Sequence, residues 1–127
     1  MIDPLFSSDT VALAQRMLDA ANLRQQAIAS NLANAETPGY RRVDLSPDFA
    51  THLKASLEAG QLNTAGAGIK PTLSMDPNAR AVRPDGNNVE MDHELVVMDQ
   101  NAVNYEYLAD VVTHNIKQLK LAITGQG

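Results

Sequence analysis

The sequence has 127 residues, of which 44% are hydrophobic and only 4% aromatic, and its formal net charge is −5 at pH 7. The negative charge argues against binding along a nucleic-acid backbone, and the absence of cysteine excludes disulfides, thiolate metal ligands and cysteine nucleophiles. The length allows one modest domain, or a few long elements that complete their core against neighbouring molecules.

The first residues, MIDPLFSSD, lack the basic region and the apolar run of a signal peptide. No later stretch approaches the length of a membrane span. We therefore expect neither a cleaved signal peptide nor a transmembrane segment.

An amino-terminal helix is predicted from residues that recur at steps of three and four, which is a heptad seam. Ser8 or Asp9 is the predicted N-cap. Gln25 lies within this seam, where it either fixes the register of the helix or faces a lumen or a wet subunit boundary. The predicted seam consists of Val11, Ala14, Leu18, Ala21, Gln25, Ile28, Leu32 and Ala35.

The middle of the chain, residues 44–88, is rich in turn-forming residues. Ser46 and Pro47 suit the start of a short helix that would run to Gly60. Further on, apolar residues alternate loosely with polar ones, and Asp85-Gly86 favours a tight turn. We expect either a short β-hairpin or an extended arm in this part.

A carboxyl-terminal helix is predicted from a second heptad pattern, with Asp92 as its N-cap and Gly125 at its end. The alternation continues without interruption along the segment. The predicted seam consists of Leu95, Met98, Ala102, Tyr105, Ala109, Val112, Ile116, Leu119 and Ile123.

These patterns predict a mainly α fold in which the two terminal helices pack as an antiparallel coiled-coil hairpin. We divide the chain into an amino-terminal helix (1–35), a loop-rich middle segment (36–91) and a carboxyl-terminal helix (92–127), which together form one domain. The larger seam residues expected to hold the helices together are Val11, Leu18, Ile28, Leu32, Leu95, Met98, Tyr105, Val112, Ile116 and Leu119.

No catalytic or metal site is predicted. The HELVV segment at His93 lacks the second histidine of a zinc protease motif. Glu90, Asp92 and Glu94 lack the spacing of a calcium loop and fit ordinary helix N-terminal charge. We therefore expect no enzymatic activity, no cofactor and no small-molecule substrate.

The first helix is expected to end abruptly near Ala35. Pro38 disfavours a helical conformation at Thr37, and Pro38-Gly39 fits the central positions of a type II turn. Asn31 and Asn34 are poor interior helix formers that can bond to backbone groups at a helix end. From these residues alone, an ordinary helix terminus followed by a loop remains an equal alternative to a specialised junction.

Two segments carry a family resemblance. NLANAETPGYRR, residues 31–42, resembles the asparagine-rich segment near the amino terminus of the flagellar rod and hook family. DGNNVEMDHEL, residues 85–95, followed by a heptad helix, is similar to the proximal rod members of that family. The resemblance spans nearly the whole chain.

The resemblance implies a structural subunit that is exported through the flagellar type III channel and assembles in the bacterial basal body rod, in the periplasmic space. It implies contacts with further copies of itself, with other rod proteins, and with membrane-ring and export-gate components. In that family the terminal helices form the inner tube, and the asparagine motif leads outward from it. The residues that would shape this junction are Asn31, Asn34, Thr37, Pro38, Gly39 and Tyr40. Those that would lead back into the carboxyl-terminal helix are Asp85, Gly86, Asn87, Asn88 and Val89.

A different class of function is the alternative: a soluble helical adaptor or export chaperone that grips a partner helix in a groove. That protein would be a folded dimer in the cytoplasm. A rod subunit would instead be exported and found in the assembled organelle.

Overall fold

The computed structural model describes residues 8–60, 69–80 and 82–125. Two long helices lie at the two ends of the described chain, with a shorter helix and a pair of short strands between them in sequence. The prediction of a mainly α protein is therefore confirmed. The elements in chain order are α1 (Ser8–Ala33), β1 (Val43–Leu45), α2 (Pro47–Glu58), β2 (Leu73–Met75) and α3 (Met91–Thr124).

Helices α1 and α3 pack against each other and run in opposite directions. Asn31 near the end of α1 contacts Glu94 at the start of α3, whereas Ala21 contacts Asn101 further along. At about 1.5 Å per residue, α1 is about 39 Å long and α3 about 51 Å. A continuous coiled-coil seam between them stays a prediction.

The buried face of α1 agrees with most of the predicted seam. Ala14, Ala21, Ile28 and Ala35 are buried. Val11, Leu18 and Leu32 are half-buried, and Gln25 is exposed at the edge of the contact. Because alanine has a small side chain, this face allows α3 to approach closely.

The face of α3 that is buried lies one residue earlier than predicted. It consists of Glu94, Val97, Asn101, Leu108 and Asn115. Of the predicted seam, Met98 and Val112 are half-buried, while Leu95, Tyr105, Ile116 and Leu119 are exposed. The prediction that these last four form the contact with α1 is wrong for the single chain.

The physical reason is that two stripes of equal period run along α3. The nine-residue pattern from Leu95 to Ile123 contains the larger apolar side chains, whereas the neighbouring stripe contains asparagines. We assigned the seam by size and hydrophobicity, but the alanine face of α1 accepts the polar stripe, with Asn101 bonded to it. We call this nine-residue pattern, most of which is exposed, the outer stripe. It consists of Leu95, Met98, Ala102, Tyr105, Ala109, Val112, Ile116, Leu119 and Ile123.

Helix α2 forms where it was predicted, with Ser46 at the N-cap and Pro47 in the first turn. Its Phe49 and Leu53 are buried and form a core cluster with Ala20 of α1. The half-buried residues that pack against this cluster are Ala12, Leu13, Leu45 and Ile69. The middle segment therefore covers one side of α1.

The two strands do not form the hairpin that was one of our expectations. β1 pairs antiparallel with β2, with Val43 opposite Met75 and Leu45 opposite Leu73, and α2 lies in the connection between them. The Asp85-Gly86 turn lies after both strands and joins neither. We expected a hairpin or an extended arm in the part of the chain that contains β2, but no sequence pattern indicated that the partner of β2 precedes α2.

The helix ends differ in detail from the predictions. α1 begins at Ser8, so both proposed N-caps lie inside its first turn. The N-cap of α3 is Glu90, two residues before Asp92, while Gly125 ends α3 in a left-handed conformation as predicted. Within the described ranges, no helix is both long and apolar enough to cross a membrane.

Candidate functional site

The chain leaves α1 through a tight turn. The backbone N–H of Tyr40 donates to the carbonyl of Thr37 at 3.2 Å, which places Pro38 and Gly39 at the two central positions. Gly39 has φ +76°, the left-handed value that a type II turn requires at its third residue. The predicted turn is therefore present.

Asn31 ties the end of α1 to β1. Its side chain is fully buried, and it donates from Nδ2 to the carbonyl of Val43 at 2.8 Å while its Oδ1 accepts from the N–H of Val43 at 3.0 Å. The amide thus pairs with both backbone groups of one strand residue, as a neighbouring strand would. Nδ2 also donates to Oε2 of Glu94 at 3.2 Å.

Tyr40 closes the loop back onto α1. Its hydroxyl donates to Oδ1 of Asn31 at 3.0 Å and lies 2.9 Å from the hydroxyl of Ser30. Asn34 donates to the carbonyl of Ser30 at 2.9 Å and accepts from the Thr37 hydroxyl at 3.1 Å. The exit from the helix is therefore held by side chains on both sides of the turn.

Asn87 binds the turn that follows α1 from a distant part of the chain. Its Nδ2 lies within hydrogen-bond distance of three carbonyls, those of Asn34 at 2.9 Å, Ala35 at 3.1 Å and Thr37 at 2.9 Å. Its Oδ1 accepts from the N–H of Val89 at 2.7 Å, and the side chain is fully buried. Because α1 ends at Ala33, these carbonyls belong to the exit from the helix, and Asn87 holds that exit in place.

The Asp85-Gly86 turn packs directly on the Pro38-Gly39 turn. The N–H of Gly39 donates to the carbonyl of Asp85 at 2.8 Å. Gly86 has φ +87°, and a Cβ at this position would lie 3.2 Å from the Cα of Gly39. Both glycines are needed for their backbone angles, and Gly86 also for the close approach.

Asn88 completes the contact between the two motifs, because its Oδ1 accepts from the backbone N–H of Arg42 at 2.6 Å. The structure therefore brings the two predicted motifs into one site, which we call the asparagine junction. It consists of Asn31, Asn34, Thr37, Pro38, Gly39, Tyr40, Asp85, Gly86, Asn87 and Asn88.

A buried cluster of charges lies beneath the junction. The guanidinium of Arg42 donates from Nε to Oε1 of Glu94, and its Nη1 lies 2.7 Å from Asp76 and 3.1 Å from Asp44. Arg24 of α1 adds a second cation, 3.1 Å from Asp44. The side chain of Arg42 is 5% exposed and that of Glu94 is fully buried, so these charges depend on one another for stabilisation.

Burial by itself lowers the pKa of Arg42, but its hydrogen bond and charge interaction with Glu94, together with Asp44, raise the pKa above the usual value. Arg42 therefore stays positively charged wherever the chain is folded. The cluster links α1, β1, the residue after β2 and the first turn of α3.

A further polar contact lies one third of the way along α3. Asn101 is buried, and its Nδ2 donates to the carbonyl of Ala21 at 2.9 Å and reaches Oε1 of Gln25 at 3.3 Å. Gln25 thus contacts α3 from the edge of the seam, which agrees with a role in register.

Sequence reasoning identified every residue of the asparagine junction but did not predict that its two halves touch. It missed the charge cluster. We assigned no contact to Arg42 and interpreted Glu94 as ordinary helix N-terminal charge, whereas both side chains are buried and paired with each other. One signal was available in the sequence. Glu94, Asn101 and Leu108 recur at heptad spacing, and each lies one residue before a member of the predicted seam of α3.

The arrangement fixes geometry rather than presenting reactive groups. The asparagines and Arg42 are engaged with backbone atoms and with one another, so the angle between α1, the loop and α3 is set by many bonds at once. Among the described residues no group of three or more histidines, aspartates and glutamates is placed to hold a metal ion.

Comparisons with known proteins agree with this structural character. Residues 13–41, which include α1 beyond its first turns and the start of the junction, match the family model described as flagella basal body rod protein.

Relatives match over nearly the whole chain. Flagellar basal body rod protein FlgB of Proteus mirabilis (strain HI4320) is 31% identical, with all of both chains covered. The FlgB protein of Escherichia coli (strain K12) is 30% identical over 92% of this chain and 93% of its own. The FlgB protein of Borrelia hermsii is 29% identical over 90% of this chain and 95% of its own.

Proposed function

Because the chain belongs to the FlgB family of flagellar basal body rod proteins, we propose that it occupies the proximal part of the rod and that its terminal helices carry the contacts between subunits. It is a structural subunit of the basal body rod and not an enzyme. None of the three relatives described above is named as an adaptor or a chaperone.

The outer stripe is the observation that best supports assembly through the helices. Its exposed members include Leu95 at 43%, Ile116 at 58% and Ile123 at 82%. Single exposed apolar residues are common on soluble proteins, but a stripe at heptad spacing along one helix marks a contact surface. Within the described ranges, no helix covers the exposed members of this stripe.

The asparagine junction supports a defined angle between the helices and the middle segment. In our proposal α1 and α3 lie in the wall of the rod, and the junction directs residues 36–90 towards neighbouring subunits. Burial of Asn31, Asn87 and Glu94 with their bonds satisfied is the feature that would hold this angle during assembly.

Membership of the family also supports a proposal for the export route and for the neighbouring proteins. The chain would travel through the flagellar type III export channel without a cleaved signal peptide and assemble in the periplasmic space. Its neighbours would be further copies of itself, other rod proteins, and membrane-ring and export-gate components at the rod base.

The test is mass spectrometry of purified flagellar basal bodies from the source organism, with the cytosolic fraction as the control. We expect peptides of this chain in the basal bodies, including the uncleaved amino terminus. Consistent absence from basal bodies, with abundant chain in the cytosol, would favour the adaptor or chaperone function.

A further inference from the structure

We propose that the outer stripe of one subunit docks into an apolar groove on a different face of a second copy, so that the contact runs head to tail. This inference rests on the proposed function and names the two surfaces that would meet. The groove lies between α1, α2 and α3, and the outer stripe lies on α3.

The groove is large and mostly apolar. It has a volume of about 680 Å³ and is open to solvent along one side. Its walls come from three helices, and the apolar side chains that define it are Leu13, Met17, Phe49, Leu53, Leu57 and Tyr107. A space of this kind between helices accepts an amphipathic helix with side chains at steps of three and four.

The stripe and the groove face different directions around α3. Tyr105 belongs to the outer stripe, and Tyr107 lines the groove. Two residues along a helix with 3.6 residues per turn are about 200° apart around its axis. Both tyrosines are exposed, at 46% and 68%. One subunit therefore cannot bring its own stripe to its own groove.

The separation of the two surfaces determines the type of assembly. A contact between different patches is heterologous, and it continues as a ring or an open helical array. A contact of stripe with stripe would be symmetric and would end at a dimer. An array is what a rod subunit requires.

Charge also favours a second copy as the occupant. Lys54 lines the groove, is exposed, and has no ion-pair partner in the part of the chain that the structure describes. Glu106 is exposed beside the outer stripe, four residues after Ala102 and three before Ala109, and likewise has no ion-pair partner within the described ranges. Docking the stripe of one copy in the groove of another would place Glu106 of the first copy near Lys54 of the second, at the edge of the groove.

The first test uses a zero-length carbodiimide cross-linker, which joins an amine to a carboxylate only when the two are in contact. Unlabelled and ¹⁵N-labelled wild-type chains are mixed at millimolar concentration, and cross-linked peptides are identified by mass spectrometry. We expect a Lys54–Glu106 product that contains one labelled and one unlabelled peptide. Absence of this mixed product at millimolar concentration would overturn the proposal.

The second test reverses charges and measures self-association by sedimentation equilibrium. Lys54→Glu or Glu106→Lys should lower the apparent association constant by about threefold or more, and the double variant should recover most of it. Lys70→Glu and Asp19→Lys are exposed controls away from both surfaces and should have little effect. Equal loss in single and double variants would contradict the pairing.

Failure of this inference can be told apart from failure of the proposed function. If the chain is present in basal bodies but cross-links through other residues, the surface assignment is wrong and the rod function stands. If it is absent from basal bodies while the Lys54–Glu106 product forms, the surfaces are correct and the function is not.

Discussion

The Nδ2 of Asn31 donates to Oε2 of Glu94 across 3.2 Å, joining two fully buried side chains that are 63 residues apart in the chain. Asn31 belongs to the last turns of α1 and Glu94 to the first turn of α3. The same asparagine holds β1 through Val43, and the same glutamate holds Arg42. This contact therefore joins the three parts of the chain whose relative angle a rod subunit must keep.

Replacing Asn31 should destabilise the chain strongly. Asn31→Ala leaves both backbone groups of Val43, one oxygen of Glu94 and the Tyr40 hydroxyl short of a partner. We expect a loss of about 3 kcal/mol in the free energy of unfolding, because buried polar groups without partners are costly. Urea denaturation followed by circular dichroism measures it.

Asn22→Ala is the matched control on the same helix, because Asn22 is exposed. It should stabilise the chain by about 0.5 kcal/mol, since alanine is the better helix former. Equal effects of the two substitutions would show that Asn31 contributes only its helix propensity.

Breaking the buried ion pair of Arg42 and Glu94 should lower the free energy of unfolding far more than breaking an exposed ion pair. Glu94→Gln should lower the free energy of unfolding by about 3 kcal/mol, because Arg42 stays charged and buried with fewer counter-charges. Arg80 and Glu90, 3.6 Å apart with 79% and 44% of their side chains exposed, provide the control pair.

Glu90→Gln should change the free energy of unfolding by less than about 1 kcal/mol. Both variants are compared by urea denaturation at pH 7. A Glu94→Gln variant as stable as Glu90→Gln would contradict a structural role for the buried cluster.

The side chain of Asn87 should be sensitive to charge as well as size. Asn87→Asp replaces a donor with a carboxylate that faces three backbone carbonyls just after α1, whereas Asn87→Ala only removes the donor. Because a negative charge is also unfavourable at the carboxyl end of a helix, aspartate should lower Tm more than alanine. Thermal unfolding measures both variants, and the reverse order would rule out the role of Asn87 in holding the exit from α1.

The two glycines of the junction should differ in their tolerance of alanine. Gly39→Ala should lower the free energy of unfolding by about 1 kcal/mol. The loss comes from the left-handed backbone alone, because a Cβ at this position meets nothing within 4 Å. Gly86→Ala should cost more, since its Cβ also approaches the Cα of Gly39 at 3.2 Å. Equal losses in urea denaturation would show that the close approach relaxes freely.

A β-branched residue at Gly39 tests the junction in the cell. Gly39→Val should reduce motility more than it reduces expression, because valine resists a positive φ at the turn. Gly39→Asn, which tolerates this conformation, should retain motility. Normal motility with valine would contradict the importance of this turn.

The sequence predicted local features well because their causes are local. Pro38-Gly39, Ser46-Pro47 and Gly125 act within a few residues of themselves, so their turn, helix start and helix end could be inferred directly. The heptad steps of α1 placed Ala14, Ala21 and Ile28 correctly at the buried face for the same reason.

Features that depend on distant parts of the chain were not predicted. The pairing of β1 with β2 joins residues 28 to 32 positions apart, and the burial of Arg42 against Glu94 joins residues 52 positions apart, so no local pattern specifies either contact. The seam of α3 was misplaced by one residue because the alanines of α1 accept Asn101 rather than a large apolar side chain. The larger apolar residues are thereby left on the outer stripe.

Hydroxyl-radical footprinting tests most directly whether the outer stripe becomes buried in the rod. Oxidation is compared between the free chain and purified basal bodies at Leu95, Tyr105, Ile116 and Leu119, with the exposed Val96 outside the stripe as the internal control. We expect strong oxidation of the four residues in the free chain and strong protection in basal bodies, relative to Val96. Equal oxidation in both states would contradict assembly through this surface of α3.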